Sequence, residues 1–485
     1  MAVPVIPNGS KHFYNVLYEG NGGGQRVGRF VPFTDNGTIA KSCIFSDDDS
    51  SYLNRTSGTA TSTRIFTVSV WAKRATIGTH TILNLAPLSG STAAPTINWG
   101  ASGTIQLATS GGSVMNKVTT RTYENTSKWY HIVARFDTTQ STAADRVRLY
   151  VDGTQVTEFG TNTIPSQNTD FVLNSQVMQI GRATSGGSPT QYLDGYLAEL
   201  HYADGQSYGP DTFGLTDTST GRWIPKSLGS ITYGNNGFRL EFANSAGQTI
   251  GDDTSGNTND FTVNNMAATD ITTDSPTQNH ATLQGTGGTL TQGNLKLVTG
   301  NSEQAHHNAT LKPKSGKYYA EFTCNAMGRS EVGVVSNLLV PYGSNTTRMP
   351  TPPDGSIPGL MYYGYNGKVY NDSGNGTAAT FNTYTTDDII GIALDLDNLT
   401  VQFFKNNSSE GTIPIPTSNY IFAMGDGATG YGGGWTANFG QKAFSYTPPT
   451  GFKALQQDNL PEAKNDFADF VWIKNRDQAD SHQLY

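Results

Sequence analysis

The sequence contains little charge, and neither sign is concentrated in one stretch. Charged residues make up 14% of the 485 residues, whereas an average soluble protein has about 25%. The 31 Lys and Arg residues are scattered, and the formal net charge is −8. Because phosphate binding needs a concentrated basic surface, this composition argues against a nucleic-acid partner.

Long apolar runs are also missing. The longest, residues 389–396, contains a glycine and Asp395 and is far shorter than the roughly 20 residues that cross a bilayer as a helix. The first eight residues carry neither a basic segment nor an apolar one of the kind found in secretory signals. We therefore expect no membrane insertion and no secretory leader.

Cysteine is scarce, and its two occurrences are far apart. Cys43 and Cys324 lie in different predicted domains, each in a strand-like stretch. We expect no disulfide between them and two buried free thiols instead. This cysteine usage is typical of a chain that folds in a reducing cytoplasm.

Two stretches about 250 residues apart show the same alternation of apolar residues. Such period-two patterns, ended by Asp, Gly and Asn, predict half-buried antiparallel hairpins. The alternating residues are Tyr130, Ile132, Ala134, Phe136, Val147, Leu149 and Val151 in the first copy, and Ile390, Ile392, Leu394, Leu396, Leu399, Val401 and Phe403 in the second. With 55 glycines and no convincing long helix, the chain is predicted to be all-β, with two antiparallel jelly-roll-type β-sandwiches in tandem.

The distribution of glycine-, proline- and polar-rich stretches along the chain predicts four segments. Residues 1–40 form an extended N-terminal arm, whose glycines prevent a core of its own and whose aromatics suggest docking to a partner. Residues 41–275 form the first sandwich with its connector, and residues 281–460 form the second. Residues 461–485 are a tail whose strand-like stretch, residues 470–473, has no evident partner nearby.

Catalytic carboxylate pairs are not evident. A glycoside hydrolase needs two carboxylates that flank the scissile bond, and none of the ten Glu residues is followed by Asp two positions later. Asp395 and Asp397 are the best pair on one strand face, but they fall at a hairpin end, where turn chemistry explains them equally well. We predict a protein without enzymatic activity.

No cofactor is predicted from the motifs. Residues 425–430 match Gly-x-Gly-x-x-Gly, but the glycines that follow cannot open a helix for a pyrophosphate. The eight His residues show no metal-ligand spacing. Asp47, Asp48 and Asp49 could supply oxygen ligands to calcium, although an acidic turn explains them as well.

Aromatic side chains are the most plausible ligand contacts, because their faces pack against sugar rings and prolines. Tyr431 and Trp435 lie in a glycine-rich stretch where a large ring is hard to bury; alternatively, both fold back over the end of the sandwich. Tyr365, in the turn-like sequence Tyr-Asn-Gly-Lys, is the third predicted contact residue.

The first half resembles the laminin-G-like, concanavalin A-type jelly roll. The matching stretches are residues 66–73, 129–131, 149–153, 180–182 and 193–200. Together with residues 201–206, 223–226 and 259–265, they also resemble a version of this fold common in marine bacteriophage virion proteins. Some laminin-G relatives bind calcium, which is why the Asp47–Asp49 run is retained as a possible cation site.

The second half resembles a SPRY domain. The matching stretches are residues 316–322, 332–334, 365–368, 391–395 and 438–441, with Phe444. The resemblance implies a bent β-sandwich whose loops bind peptide or protein partners. The pairing of the two domains resembles phage fibre and adhesion proteins, and residues 469–476 resemble the start of a further module.

These resemblances imply a non-enzymatic virion protein, assembled in the host cytoplasm, most plausibly a tail-fibre or surface-adhesion component. Its expected partners are other virion proteins and a host surface glycan. Phage fibres are often trimeric, so a homo-oligomer is also expected, with a trimer favoured. The alternatives are a capsid decoration or head-fibre protein and a polysaccharide-degrading glycoside hydrolase.

Overall fold

The computed structural model describes residues 37–87, 93–218, 221–242, 247–300, 305–336, 359–371, 376–426 and 432–461, together with 472–473 and 483–484. Most of the predicted N-terminal arm lies outside these residues. Within the described residues the secondary structure is strand, apart from short 3-10 turns at Ser110–Gly112, Ala143–Asp145, Pro210–Thr212, Ala268–Asp270 and Gln457–Asn459. The described part contains no helix that is long and apolar enough to cross a membrane.

The described residues of the first half form twenty strands. In chain order they are β1 Ser42–Phe45, β2 Tyr52–Thr56, β3 Ile65–Arg74, β4 His80–Asn84, β5 Thr96–Trp99, β6 Ile105–Ala108, β7 Asn116–Thr119, β8 Tyr130–Asp137, β9 Val147–Val151, β10 Thr154–Gln155, β11 Phe159–Thr163, β12 Val177–Ile180, β13 Ala183–Ser185, β14 Ser188–Thr190, β15 Gly195–Asp204, β16 Gly214–Thr216, β17 Trp223–Pro225, β18 Phe238–Leu240, β19 Thr262–Asn264 and β20 Ile271–Thr272.

The described residues of the second half form fifteen strands, and a short pair follows them. They are β21 Leu283–Thr286, β22 Thr289–Thr291, β23 Lys296–Val298, β24 Ala305–Ala309, β25 Lys317–Ala326, β26 Ser330–Ser336, β27 Gly359–Tyr363, β28 Lys368–Tyr370, β29 Thr377–Thr380, β30 Ile389–Asp395, β31 Thr400–Lys405, β32 Ser408–Pro414, β33 Tyr420–Asp426, β34 Gly434–Asn438, β35 Lys453–Ala454, β36 Trp472–Ile473 and β37 Gln483–Leu484.

Each half is built from two large sheets. In the first sandwich, sheet A has the order β10-β9-β8-β3-β15-β1-β20, with β18 also paired to β15, and sheet B has the order β11-β7-β6-β5-β4-β12-β2-β19. In the second, sheet C is β21-β24-β33-β26-β27-β28-β29, and sheet D is β22-β23-β34-β25-β30-β31-β32. The predicted all-β class with tandem antiparallel sandwiches is confirmed; the short β35 runs parallel to β25.

The two predicted hairpins form in register, with apolar residues opposite one another. Ala134 of β8 pairs with Leu149 of β9, and Leu394 of β30 pairs with Val401 of β31; all four are buried. A tight turn connects each pair to the next strand. Its two central residues are Asp152-Gly153 in the first sandwich and Asn406-Asn407 in the second, and all four have positive φ. These residue types favour the type I′ turn, whose twist suits a two-residue hairpin.

One prediction about the tail was wrong. The strand-like stretch at residues 470–473 does find a partner, because Trp472–Ile473 pairs antiparallel with Gln483–Leu484. The two cysteines are buried free thiols, as predicted.

The apolar core of the second sandwich extends onto the first. One apolar cluster lies between sheets A and B. The other fills the second sandwich and extends onto the outward face of sheet A, where it includes Ile44, Trp71, Trp129 and Tyr196. The second sandwich therefore buries aromatic residues of the first.

Polar groups reinforce this junction. The hydroxyl of Tyr196 donates to the carbonyl of Gly293 at 2.6 Å, and Nδ2 of Asn294 donates to the carbonyl of Ala75 at 2.8 Å. A buried ion pair joins Lys73 of β3 to Asp274 of the connector, residues 273–281, at 2.8 Å. Satisfied buried polar groups fix a specific arrangement, because breaking one leaves an unpaired group in the interior.

Candidate functional site

The most accessible predicted contact residue is Tyr365. It lies in the turn between β27 and β28, and its side chain is 60% exposed, the largest exposure among the described large apolar and aromatic residues. The guanidinium carbon of Arg329 sits 3.9 Å from the centre of the Tyr365 ring, and Nη1 of Arg329 donates to the hydroxyl of Tyr363 at 3.1 Å. An exposed ring held by a cation is a preformed surface for a flat ligand face.

The prediction for Trp435 needs correction. The residue lies in β34, where Gly434 opens the strand, and its indole is wholly buried. Its ring packs edge-on against Tyr384 at 5.5 Å, and Nε1 donates to the carbonyl of Gly425. A side chain without accessible surface cannot meet a ligand, so the alternative of an aromatic folded into the sandwich holds here. Tyr431 lies outside the described residues.

A second candidate site, which contains none of the predicted contact residues, lies on the outward face of sheet A. It is a cavity of about 350 Å³ with charged groups on one wall. Its principal lining residues are Trp71, Glu199, His201, Phe213, Lys226 and Arg239. We call this cavity the sheet A pocket.

A β-bulge positions the acidic residue of this pocket. The pairing of β15 with β3 shifts register between Ala198 and His201, and Glu199 has a φ of +46°. Non-glycine residues rarely adopt this conformation, and bulges commonly re-aim a side chain near functional sites. Here the bulge directs the Glu199 carboxylate towards Arg239.

Glu199 is held as a carboxylate. Its oxygens accept two hydrogen bonds from Arg239, at 3.1 and 3.0 Å, and Nε2 of His201 lies 3.2 Å from one of them. Burial by itself raises the pKa of Glu199, but the contacts with His201 and Arg239 outweigh burial and leave the pKa lowered. Arg239 also pairs with Glu241 at 2.9 Å, so the guanidinium is shared by two acids.

The serine and histidine beside this pocket are not arranged as a nucleophile and its base. Nε2 of His131 lies 2.8 Å from Oγ of Ser69, while Nδ1 accepts a hydrogen bond from Nε1 of Trp223 at 2.9 Å. Burial, with a smaller contribution from His201, lowers the pKa of His131 to about 3, so the ring is neutral. With Nδ1 as acceptor, the neutral ring carries its proton on Nε2 and donates it to Ser69.

The predicted carboxylate pair at the β30–β31 turn has structural partners. Asp395 accepts hydrogen bonds from the backbone of Asp397 and Asn398 and pairs with Lys317 at 2.8 Å. Asp397 accepts from the backbone of Gly316. Burial raises the pKa of Asp395, but the bonds from Lys317 and Asn398 reverse this and lower it. These contacts agree with the alternative that Asp395 and Asp397 stabilise the hairpin turn.

The acidic run considered for calcium forms the turn between β1 and β2. The backbone of Ser50 donates to the carbonyl of Asp47 at 3.0 Å, and the backbone of Asp49 donates to Oγ of Ser46. Among the described residues, no three His, Cys, Asp or Glu side chains converge in a way that could hold a metal ion. The turn therefore accounts for this run.

The sequence did carry a signal for the sheet A pocket. Glu199 and His201 lie two positions apart in an otherwise apolar strand-like stretch. Arg239 and Glu241 lie two positions apart in a later one. Charges at alternate positions of a buried-looking strand indicate an outward face that is covered rather than solvated. Their meeting depends on the pairing of β18 with β15, which no local pattern specifies.

Comparisons with known proteins found a family model that is similar to the first sandwich. Residues 47–205 match the Laminin_G_3 family model, described as the concanavalin A-like lectin/glucanases superfamily. A search of curated proteins found no match to the chain.

Several solved structures are similar to part of this chain. They include the SPRY domain of human HERC1 (19% identity, 31% of this chain and 91% of that chain, TM-score 0.26). A heptameric SAP-like pentraxin from Limulus polyphemus gives 16% identity over 36% and 79% of the chains, with TM-score 0.26. A putative carbohydrate binding protein from Bacteroides ovatus gives 16% over 48% and 61%, with TM-score 0.30. Similarity at this level does not specify a ligand.

Proposed function

We propose that this chain is a non-enzymatic carbohydrate-binding protein that serves as a tail-fibre or surface-adhesion component of a virion. The observation that carries the binding role is the exposed Tyr365 ring with Arg329 over it. An aromatic face packs against the apolar face of a sugar ring, and the neighbouring guanidinium donates hydrogen bonds to hydroxyls. The match of residues 47–205 to a lectin and glucanase superfamily supports the same ligand class.

The acids of the sheet A pocket and of the β30–β31 turn support binding rather than hydrolysis. Glycosidic cleavage needs a general acid, which must hold its proton near neutral pH and therefore has a raised pKa. Glu199 and Asp395 instead have lowered pKa values, because each is bound by cationic or amide donors. Both carboxyls are therefore poorly suited to protonating a leaving group.

The virion assignment rests on the resemblance of the first half to phage virion proteins and of the pairing of the two domains to phage fibre and adhesion proteins. In this proposal the protein is assembled in the host cytoplasm, contacts neighbouring virion proteins and forms a homo-oligomer, with a trimer favoured. The two sandwiches hold the ligand-contacting turns at fixed positions. A capsid decoration or head-fibre protein is the alternative within the same class.

Binding is tested on a glycan array with the full chain, Tyr365→Ala and Tyr365→Phe. We expect Tyr365→Ala to lose at least tenfold in affinity and Tyr365→Phe to retain most of it, because the ring face and not the hydroxyl makes the contact. Tyr446→Ala, the same change in the segment after β34, is the matched control. Equal binding by the parent and Tyr365→Ala would refute the assigned surface.

Two further measurements separate the alternatives. Steady release of reducing ends from a polysaccharide by the parent, lost in Glu199→Gln or Asp395→Asn, would establish a hydrolase instead. Antibody labelling of purified particles, viewed by electron microscopy, is expected to mark the tail or its fibres. Labelling distributed over the head would favour capsid decoration, and unlabelled particles would contradict the virion proposal.

A further inference from the structure

A buried cluster at the junction of the sandwiches contains an amine, a carboxylate and a carboxamide in contact. Nζ of Lys73 lies 2.8 Å from Oδ2 of Asp274 and 3.0 Å from Oδ1 of Asn279. Lys73 belongs to the central strand β3 of sheet A, while Asp274 and Asn279 belong to the connector. Lys73 and Asn279 are 206 residues apart in the sequence, so this contact exists only because of the fold.

The ion pair within this cluster is closed to water and lined by aromatic rings, while Asn279 is half-buried. The side chains of Lys73 and Asp274 are 0% and 1% exposed. Nζ of Lys73 lies 5.3 Å from the ring centre of Tyr196, and Nε1 of Trp129 donates to Oδ1 of Asp274 at 3.0 Å. Exclusion of water matters because it strengthens the contacts among the reacting groups and removes water as a competing nucleophile.

Asn279 is itself held in place. Its Nδ2 donates to the carbonyl of Ser127 at 2.9 Å, while its Oδ1 accepts from Lys73. Both ends of the carboxamide are therefore fixed relative to the amine. Because the fold already holds the two groups in contact, the reaction avoids the entropy cost of bringing them together. That cost is a large part of the barrier to a bimolecular reaction.

From this geometry we propose that Lys73 and Asn279 join in an intramolecular amide bond, with Asp274 as the proton carrier. Asp274 accepts a proton from the Lys73 ammonium, and the neutral amine attacks Cγ of Asn279. Asp274 passes this proton to Nδ2, the bond from Cγ to Nδ2 breaks, and the second proton that the attacking nitrogen loses remains on Asp274. One C–N bond forms, one breaks and one molecule of ammonia leaves, so no oxidant, reductant or co-reactant is required.

The bond would fasten β3 of the first sandwich to the connector that leads into the second. A cross-link between residues so distant in sequence constrains the unfolded chain strongly, by the same argument that applies to long disulfide loops. It needs no cysteine pairing, which suits a chain whose two thiols are buried and free.

The decisive measurement is the intact mass of the purified full-length chain. The expected result is a deficit of one ammonia, and digestion with trypsin should give a branched peptide that joins residues 65–74 to residues 240–296. A full mass with separate peptides would overturn the proposal and leave a simple ion pair. A deficit of one water, with the branch at Asp274, would overturn the assignment to Asn279.

Variants identify the role of each group. Asn279→Ala removes the electrophile and leaves the Lys73–Asp274 pair intact, so this variant is expected to fold and to show full mass. Lys73→Arg keeps a positive charge without an attacking amine, and Asp274→Asn removes the proton acceptor; both should also show full mass. An ammonia deficit that persists in Asn279→Ala would show that the loss arises elsewhere in the chain.

Discussion

Among single residues, Asp194 has the environment with the clearest measurable consequence. It precedes β15, its side chain is almost fully buried, and Asp47 lies nearby. Burial, followed by the charges of Asp47 and Asp48, raises the pKa of Asp194 to about 7. In the unfolded chain an aspartate titrates near 3.9. The folded protein therefore binds this proton more tightly than the unfolded chain.

This difference predicts a pH dependence of stability. The contribution of Asp194 is fully present below about pH 4 and is lost as the pH rises towards about 7. Asn resembles the protonated acid, so Asp194→Asn should match the parent near pH 4 and exceed its unfolding free energy by up to about 4 kcal/mol above pH 7. Urea unfolding at a series of pH values measures this.

Comparing Asp194→Asn with the parent separates the contribution of Asp194 to stability from that of groups whose pKa values shift in a way that gives the opposite pH dependence. The pKa of buried His131 is lowered to about 3, so its contribution is present above about pH 6.5 and is lost as the pH falls. That contribution is common to both proteins and cancels. A difference that stays constant between pH 4 and pH 8 would show that Asp194 has no raised pKa.

At the same scale, the sequence predicted one contact residue that lies at the surface and one that does not. Tyr365 follows a strand and lies in a turn sequence, and such positions are commonly exposed. Trp435 follows four positions rich in glycine, which suggested a loop. Its burial depends on Tyr384, about fifty residues earlier in the chain, and no local pattern reports such a contact.

At the scale of elements, the paired strands were predictable because period two reflects which face is buried. The fold class and both hairpins follow from that pattern alone. The order of strands within sheet A did not follow, since β15 lies between β3 and β1. The bulge at Glu199 also carries no local signal, because glutamate has no preference for positive φ.

The hairpin of β30 and β31 provides a test of which side chains face the interior of the sandwich. Val401 is wholly buried, whereas its neighbour Gln402 is partly exposed. Val401→Asp places an unpaired carboxylate in the interior, which costs several kcal/mol, while Gln402→Asp should change stability by less than about 1 kcal/mol. Thermal unfolding of the two variants, measured by circular dichroism, checks this. Similar melting temperatures for both would place the inward face elsewhere.

At the scale of the whole molecule, the sequence predicted two domains but not the apolar contact between them. The aromatics of sheet A that meet the second sandwich, Trp129 and Tyr196, are spaced like ordinary outward residues. Only the docking of the second sandwich explains why they are large and apolar. An exposed patch of this kind on a single sandwich would favour association with another surface.

Removing residues 281–460 should therefore destabilise the first sandwich. The remaining fragment exposes Ile44, Trp129 and Tyr196, and each large side chain returned to water costs about 1.5–3 kcal/mol. We expect calorimetry of the full chain to show one joint transition and the fragment to melt at a lower temperature. A fragment that melts at the temperature of a separate transition of the full chain would indicate independent domains.

The buried junction also fixes the separation between the Tyr365 surface and the sheet A pocket. Two sites joined by a flexible linker share an effective concentration that falls as the linker lengthens, whereas a fixed separation favours ligands whose repeat matches it. A polymer with regularly spaced epitopes could then engage both sites without the entropy cost of ordering a linker. Because the junction fixes the distance between the two sites, the selectivity of the protein would depend on the spacing of epitopes along the ligand as well as on their chemistry.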